Sequence, residues 1–369
     1  MGLNEYTTLG RTGLRVSPLC LGAMGFGTGW GWGADEKISF QMLNHYLEGG
    51  GNFIDTADGY QMGQSEEIVG KYVTERNLRD KAVIATKFTF NFVNPGDPNA
   101  GGNGRKNIYR ALEGSLRRLK TDYIDLYYLH AWDLITPVEE VVSTLSDLIR
   151  EGKIRYYGLS DTPAWYCTRL QTIAERDGLE RCATLQLEYS LAERNIEREH
   201  IPAAQELGIG LCPWSPLAGG LLTGKYRREG STAVGEGRLI SNPIFNKFTE
   251  HNWRVLDTLL DVSKQIGKPA AQVAINWLAT QPGVTSVILG ATKPAQLAGN
   301  LGSLDFSIPT ELRKRLDDVG RPEPVHPYNF YEPSIQARIS GNTTVREWRR
   351  DYLYDGAIAP PAEKKATAD

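Results

Sequence analysis

The chain has 369 residues, 41% apolar and 23% charged, with 39 Gly and 19 Pro spread along it, a composition that excludes collagenous, coiled-coil and disordered classes. Lysine plus arginine (41) nearly balances aspartate plus glutamate (44), and the net charge of −3 gives no footprint for nucleic acid or an anionic membrane, leaving a small molecule as the expected partner. Four cysteines without C-x-x-C spacing, no apolar leader and no run of about 18 apolar residues predict a reduced, cytoplasmic protein with no membrane span.

Short apolar runs recur in chain order at 19–26 (LCLGAMGF), 52–57 (NFIDTA), 82–88 (AVIATKF), 124–130 (IDLYYLH), 154–160 (IRYYGLS), 184–190 (TLQLEYS), 209–217 (IGLCPWSPL) and 286–291 (SVILGA). Most are continuous rather than alternating, the pattern of parallel strands buried on both faces. Between them apolar residues fall at helical spacing, as in Ile108, Leu112, Leu116, Leu119 and in Val138, Val141, Leu145, Leu148. The first seven runs follow at about the 30-residue length of a βα unit. Eight such units predict an α/β fold, a closed (β/α)8 TIM barrel over residues 1–320, with a doubly wound sheet as the alternative. Before the eighth run lies a long Gly-rich excursion, 219–246, then helices at about 252–266 and 270–281; the excursion is a candidate lid or cofactor clasp. Residues 321–369 read as an extension that crosses a barrel face and ends in a polar, frayed tail (PPAEKKATAD).

In a barrel of this kind the chemistry sits at the C-terminal ends of the strands. Three neighbouring runs end in ionisable residues: Asp55 with Tyr60 in the loop that follows, Lys87, and His130. Each alone is explained by ordinary packing or capping; their convergence on one spot is not. A lysine ammonium beside a phenol lowers the tyrosine pKa from about 10, and Asp55 keeps the lysine charged. His130 in reach of the same point suits a hydrogen bond to a carbonyl oxygen. This group protonates an alkoxide but holds no nucleophile and no base aimed at water, so a hydride must come from a cofactor. The five histidines show no H-x-H or H-E-x-x-H spacing, so no metal is expected.

The segment 52–70 (NFIDTADGYQMGQSEEIVG), Thr86–Lys87 and Leu129–His130 resemble the catalytic motifs of the aldo-keto reductases, and the similarity runs from about residue 8 to about residue 318. The resemblance implies an NADPH-dependent oxidoreductase that reduces an aldehyde or ketone to an alcohol, with Asp55, Tyr60, Lys87 and His130 as its tetrad and Tyr60 as proton donor. The alternative within the resemblance is an NADP(H)-binding, redox-sensing or channel-subunit-like barrel with slow turnover that acts through a protein partner. Trp132 follows Ala131 where the channel-subunit-like branch commonly has Arg-Pro, which weakens that branch as a guide to the substrate pocket.

No G-x-G-x-x-G follows a strand, which disfavours a Rossmann site. The run 219–226 (GGLLTGKY) matches the P-loop spacing, but Tyr226 stands where Ser or Thr must hold magnesium. By resemblance, 212–226 (CPWSPLAGGLLTGKY) carries Trp214 to stack on nicotinamide, and Ser215, Pro216, Leu217, Gly219 and Lys225 to hold the pyrophosphate. Ala23 and Met24 after the first strand, with Ser160, Asp161 and Gln186, are expected at the nicotinamide end. The family often has Asn where Asp161 stands. Gly290, Thr292, Lys293, Gln296 and Asn300 are expected at the adenosine end, Lys293 and Arg238 pairing with a 2′-phosphate. Candidates for an aromatic substrate pocket are Trp30, Trp32, Phe88, Phe90 and Trp132, together with Tyr328 and Phe330 of the C-terminal segment.

Overall fold

The computed structural model describes residues 1–92, 94–229, 232–241 and 246–343, the side chains of residues 232, 238 and 241 excepted. Eight strands form one parallel sheet: β1 Leu19–Gly22, β2 Phe53–Asp55, β3 Val83–Phe88, β4 Ile124–Leu129, β5 Ile154–Ser160, β6 Thr184–Gln186, β7 Gly210–Leu211 and β8 Val287–Gly290. Their spatial order is β8-β1-β2-β3-β4-β5-β6-β7. Backbone bonds from Thr285 N–H to Leu211 O (2.8 Å) and from Ile288 N–H to Pro213 O (2.9 Å) join the two ends of the sheet. The fold is a (β/α)8 barrel.

Helices follow the strands: α1 Glu36–Glu48, α2 Gln64–Glu75, α3 Arg105–Leu119, α4 Val138–Arg150, α5 Ala164–Asp177, α6 His200–Leu207, α7 Glu250–Ile266, α8 Ala270–Ala279, α9 Pro294–Leu301 and α10 Thr310–Val319. The apolar stripes of α3 and α4 are buried as their spacing predicts, apart from the half-buried Leu116. Among the described residues no helix is long and apolar enough to cross a membrane. Two runs end as strands sooner than their apolar length suggests. The sixth stops at Gln186, and the seventh is two residues long because Pro213 has no N–H to donate and Ser215 turns the chain at φ 58°.

Strand periodicity sorts the core into two layers. Ile84, Phe88, Tyr127, Leu129 and Leu159 face outward against the helices. Cys20, Phe53, Val83, Ala85, Leu126, Tyr128, Cys212 and Ile288 fill the barrel interior, and Leu9 and Val16, from an N-terminal hairpin the periodicity does not reveal, close its floor. The interior accommodates the Tyr128 ring only because β5 carries Gly158 opposite it: a Cβ there would lie 2.4 Å from a Tyr128 ring carbon and 2.8 Å from Thr184 O.

The excursion contains a 3-10 turn, Ala218–Thr223, and a small hairpin pairing Arg227–Glu229 with Thr232–Val234. Tyr226, the residue that spoils the P-loop match, is buried, and its hydroxyl accepts the Leu239 N–H at 3.2 Å. Lys247 ties the far end of the excursion to the loop after β6 through Glu188 (3.0 Å) and Glu193 (3.4 Å). The described part of the C-terminal extension is held beside that same loop: Tyr328 bonds Glu199, and Arg198 donates to Glu323 O at 2.9 Å. The polar tail lies outside the described residues.

The Gly158–Tyr128 contact yields a stability test. Gly158→Ala overpacks the interior and is expected to cost about 1–3 kcal/mol in chemical denaturation. Gly13→Ala, where no atom lies within 4 Å of the added carbon, is expected to stay within about 0.5 kcal/mol of the parent.

Candidate active site

The inward parity of the strands brings the predicted residues together. Asp55, Lys87, Ser160 and Gln186 occupy the last inward positions of β2, β3, β5 and β6, and His130 and Trp214 follow in the same phase just beyond β4 and β7. The Lys87 ammonium is fully buried and donates to Asp55 Oδ2 (2.6 Å), Thr56 O (2.8 Å) and the Tyr60 hydroxyl (3.3 Å). Asp55 is held from its other side by Gln186 Nε2 at 2.9 Å. The Tyr60 hydroxyl also lies 3.4 Å from His130 Nε2, so it sits between an ammonium and an imidazole.

The electrostatics differ in one respect from the sequence expectation. Lys87 does pull the Tyr60 phenol down, but burial outweighs it and Asp55 opposes it, so the phenol is raised above its usual range rather than lowered. Burial also works against the Lys87 ammonium, yet Asp55 and Tyr60 together keep its pKa above normal. His130 is held well below the ordinary histidine range by burial and by the Lys87 charge. At neutral pH the group is therefore a charged lysine, a protonated tyrosine and a neutral histidine.

Each side chain is fixed from behind. Glu66, fully buried on α2, accepts from Thr86 Oγ1 (2.5 Å) and Arg118 Nε (2.7 Å) and so clamps the lysine strand. The His130 N–H donates to Thr89 Oγ1 (3.2 Å), and Thr89 itself bonds Asn103 Oδ1 at 2.7 Å. Thr89 has φ 116°, a strained conformation for a β-branched residue, placed directly beside the histidine.

Aromatic rings surround the Tyr60 hydroxyl. Trp30 meets the Tyr60 ring edge-on at 6.1 Å and contacts Trp32 and Phe92, each at 5.8 Å; Phe90 packs on His130 at 4.8 Å. Trp132 lies further round the rim against Trp165 and Tyr166. Phe88 is not part of this wall. Its position on β3 is one residue out of phase with Lys87, so it points outward, is fully buried and packs on Tyr127 at 4.9 Å. Tyr328 and Phe330 are also elsewhere, on Glu199 and His326 respectively.

Phe92 and Gln61 also belong to the site, although no motif in the sequence marks them. The Gln61 side chain accepts from the Trp30 N–H (2.9 Å) and donates to Met24 O (3.2 Å), which locks the loop after β1 onto the loop after β2. Gln64 adds a bond from the Thr28 N–H at 2.8 Å. Gln61 and Met62 both take left-handed backbone, φ 51° and 60°. The clue was the glycine run 25–33, whose close approaches to Gln61 and Gln64 leave no room for a Cβ at Gly27 or Gly29.

On the other side of the strand ends, Trp214 donates its indole N–H to Asp161 Oδ1 at 3.1 Å. Desolvation pushes the Asp161 carboxyl up to about 6. Met24 and Ala23 lie at the end of β1, where the Ala23 N–H donates to Asp55 O at 2.8 Å. Gly290 offers an open face, with no atom within 4 Å of where a Cβ would stand. Ser215, Ala218, Gly219 and Gly220 all carry positive φ, bending the loop after β7, and the exposed Lys225 lies over Gly220 and Gly237. Pro216 and Leu217 lie inside this bend. The exposed Lys293 stands at the N-terminus of α9, where Gln296 Oε1 accepts the Thr292 N–H (3.1 Å), with Asn300 one turn on. The side chain of Arg238 lies outside the described residues. These groups could hold a dinucleotide: an aromatic face, a tightly bent loop, exposed lysines and a helix N-terminus.

The family model described as the aldo/keto reductase family matches residues 18–321. The chain is 38% identical to an uncharacterized oxidoreductase of Bacillus subtilis (strain 168), over 85% of this chain and 95% of that protein. It is 35% identical to an aryl-alcohol dehydrogenase of Pestalotiopsis microspora (96% and 92% covered) and 34% identical to a norsolorinic acid reductase of Aspergillus flavus (91% and 86% covered).

The buried ion pair can be tested without any assumption about turnover. Lys87→Met leaves the Asp55 carboxylate buried without its cation and is expected to cost about 3–5 kcal/mol. Asp55→Asn combined with Lys87→Met removes both charges and should recover most of that loss, so denaturation of the two single variants and the double should show strong coupling.

Proposed function

The chain belongs to the aldo/keto reductase family, an oxidoreductase fold by its relatives, and from that premise we propose that it reduces an aldehyde or ketone to an alcohol with NADPH. The observation that supports this most directly is the Tyr60 hydroxyl lying 3.3 Å from Lys87 Nζ and 3.4 Å from His130 Nε2. In this reading the nucleotide, when bound, supplies the hydride. The protein's own part is to orient the carbonyl and to deliver a proton. Neutral His130, whose buried Nδ1 makes no hydrogen bond among the described residues, presents Nε2 beside the Tyr60 hydroxyl, where it can bond the substrate oxygen. Tyr60, still protonated at neutral pH, gives its proton to the oxygen as charge builds there. The Lys87 ammonium then faces a phenolate, which it stabilises, and Asp55 keeps that ammonium in place. The raised phenol pKa suits an acid that must hold its proton until the alkoxide forms.

For the nucleotide we assign Trp214, Ser160, Asp161 and Gln186 to the nicotinamide. We assign Ser215, Pro216, Leu217, Gly219 and Lys225 to the pyrophosphate, and Gly290, Thr292, Gln296 and Asn300 to the adenosine. Lys293 and Arg238 are proposed to choose NADPH over NADH. The wall made by Trp30, Trp32, Phe90, Phe92 and Trp132 favours an aromatic carbonyl, a choice consistent with the name of the Pestalotiopsis relative, an aryl-alcohol dehydrogenase.

Tyr60→Phe is expected to lower kcat by about 10²–10⁴-fold, the usual worth of a positioned acid, while NADPH affinity stays unchanged. Multiple-turnover NADPH oxidation with a panel of aryl and alkyl aldehydes measures the first, and titration calorimetry the second. A variant keeping more than about a tenth of the parent kcat would remove Tyr60 from the acid role.

Replacing Lys293 and Arg238 together by Ala is expected to raise the Kd for NADPH roughly ten- to a hundredfold and leave that for NADH nearly unchanged, because only NADPH carries the 2′-phosphate they would meet. The difference should narrow at high salt. Equal losses for both nucleotides would reassign these cations to the pyrophosphate.

A further inference from the structure

Asp161 is a carboxylate at the nucleotide side of the strand ends to which the proton transfer described above gives no part. It follows the inward-facing Ser160 at the end of β5 and turns the chain at φ 44°, a conformation aspartate tolerates better than most residues. Its backbone N–H donates to Gln186 O at 3.2 Å, and Gln186 in turn holds Asp55. Its side chain accepts the Trp214 indole N–H at 3.1 Å. The carboxylate is thereby fixed against Trp214, and its backbone against Gln186, two of the residues assigned to the nicotinamide. The charged and titratable groups that face it are Glu188 from the loop after β6, of like sign, Lys87 from β3, and Tyr60 from the loop after β2. Among the described residues no lysine or arginine forms an ion pair with it, so its charge is not cancelled at contact distance.

We infer that Asp161 sets the redox preference of the nucleotide site, its carboxylate favouring the oxidised, cationic nicotinamide over the reduced, neutral one. The inference rests on the proposed placement of nicotinamide at Trp214 and Gln186. A fixed negative charge attracts the positively charged ring and has no comparable pull on the neutral ring, and in a partly desolvated crevice the difference is larger than in water. A neutral amide at this position keeps the acceptor for Trp214 Nε1 and loses only the charge. The site as built is therefore biased toward NADP+, which favours alcohol oxidation relative to an uncharged version of the same site.

The sign of the pH dependence follows. Desolvation raises this carboxyl to about 6, so Asp161 is mainly neutral at pH 5 and charged at pH 8. The preference for NADP+ must appear as pH rises through that range. The nucleotide's own 2′-phosphate also titrates there, but it is common to both forms and cancels in the ratio of their affinities.

The test measures Kd for NADP+ and for NADPH by titration calorimetry between pH 5 and pH 8, with the full chain and with Asp161→Asn, both first shown by thermal melting to be folded. The ratio Kd(NADPH)/Kd(NADP+) is expected to rise at least about threefold across this range in the parent. In Asp161→Asn it should stay flat and lie below the parent ratio at pH 8. A variant whose ratio matches the parent at pH 8, or follows the same pH course, overturns the inference and leaves the nucleotide site intact. If neither nucleotide binds, or if NADPH quenches the fluorescence of Trp214→Phe as fully as that of the parent, the placement of nicotinamide fails and the inference falls with it.

Discussion

The buried pair of Lys87 and Asp55 is the interaction on which the rest depends. Removing an ammonium from water costs several kcal/mol even after relaxation, and no exposed solvent remains to offset that cost at Lys87. The protein meets it with a short contact to Asp55, a carbonyl from Thr56 and the Tyr60 hydroxyl. All the ammonium donors are thus directed at one small volume, and all three partners come from β2 or the loop that follows it. The pair therefore fixes the register of β2 against β3 at their ends and orients Tyr60 at the same time. Gln186 extends the same network across the barrel to β6.

A closed barrel makes this possible because every strand presents its final inward residue to a common axis. The layer beneath is filled by Tyr128 in the space left by Gly158, which holds a solid floor under the charged residues. Above them the loops carry the walls. Gln61 joins two such loops, so the ring that faces Tyr60 is set by the same segment that carries Tyr60.

The barrel was legible because eight continuous apolar runs at the spacing of a βα unit have few other solutions. The tetrad was legible because polar residues ending apolar strands are costly unless they meet. What escaped has physical causes. Phe88 ends an apolar run next to Lys87, and a fully buried strand gives no alternation from which to read its phase, so its outward direction was invisible until Lys87 fixed the inward one. The N-terminal hairpin has two residues per strand and no periodicity to detect. Gln61 has a role only through φ 51° and partners far away in sequence, neither of which composition records. The direction of the Tyr60 phenol shift is not legible in the sequence, because a nearby lysine is readable from motif spacing while the extent of desolvation, which outweighs it, is not.

The buried titrating groups of this site act on stability with opposite signs, and that bears on how the fold tolerates them. His130 is depressed in the fold, so the unfolded chain takes up its proton first as pH falls through about 6.5, and the stability tied to neutral His130 is lost on the acid side. Asp161, raised to about 6, and Asp58, raised by burial and Glu66 to about 7, behave the other way. Their folded forms hold protons that the unfolded chain has released above about pH 4, so their cost grows as pH rises toward neutrality and is relieved as pH falls. Between about pH 4 and 6.5 the two trends oppose each other. Protonation of Asp161, after β5, and of Asp58, after β2, therefore offsets part of the acid lability of His130, and because Asp161 also feels the Lys87 charge its titration is coupled to the ion pair that holds Tyr60.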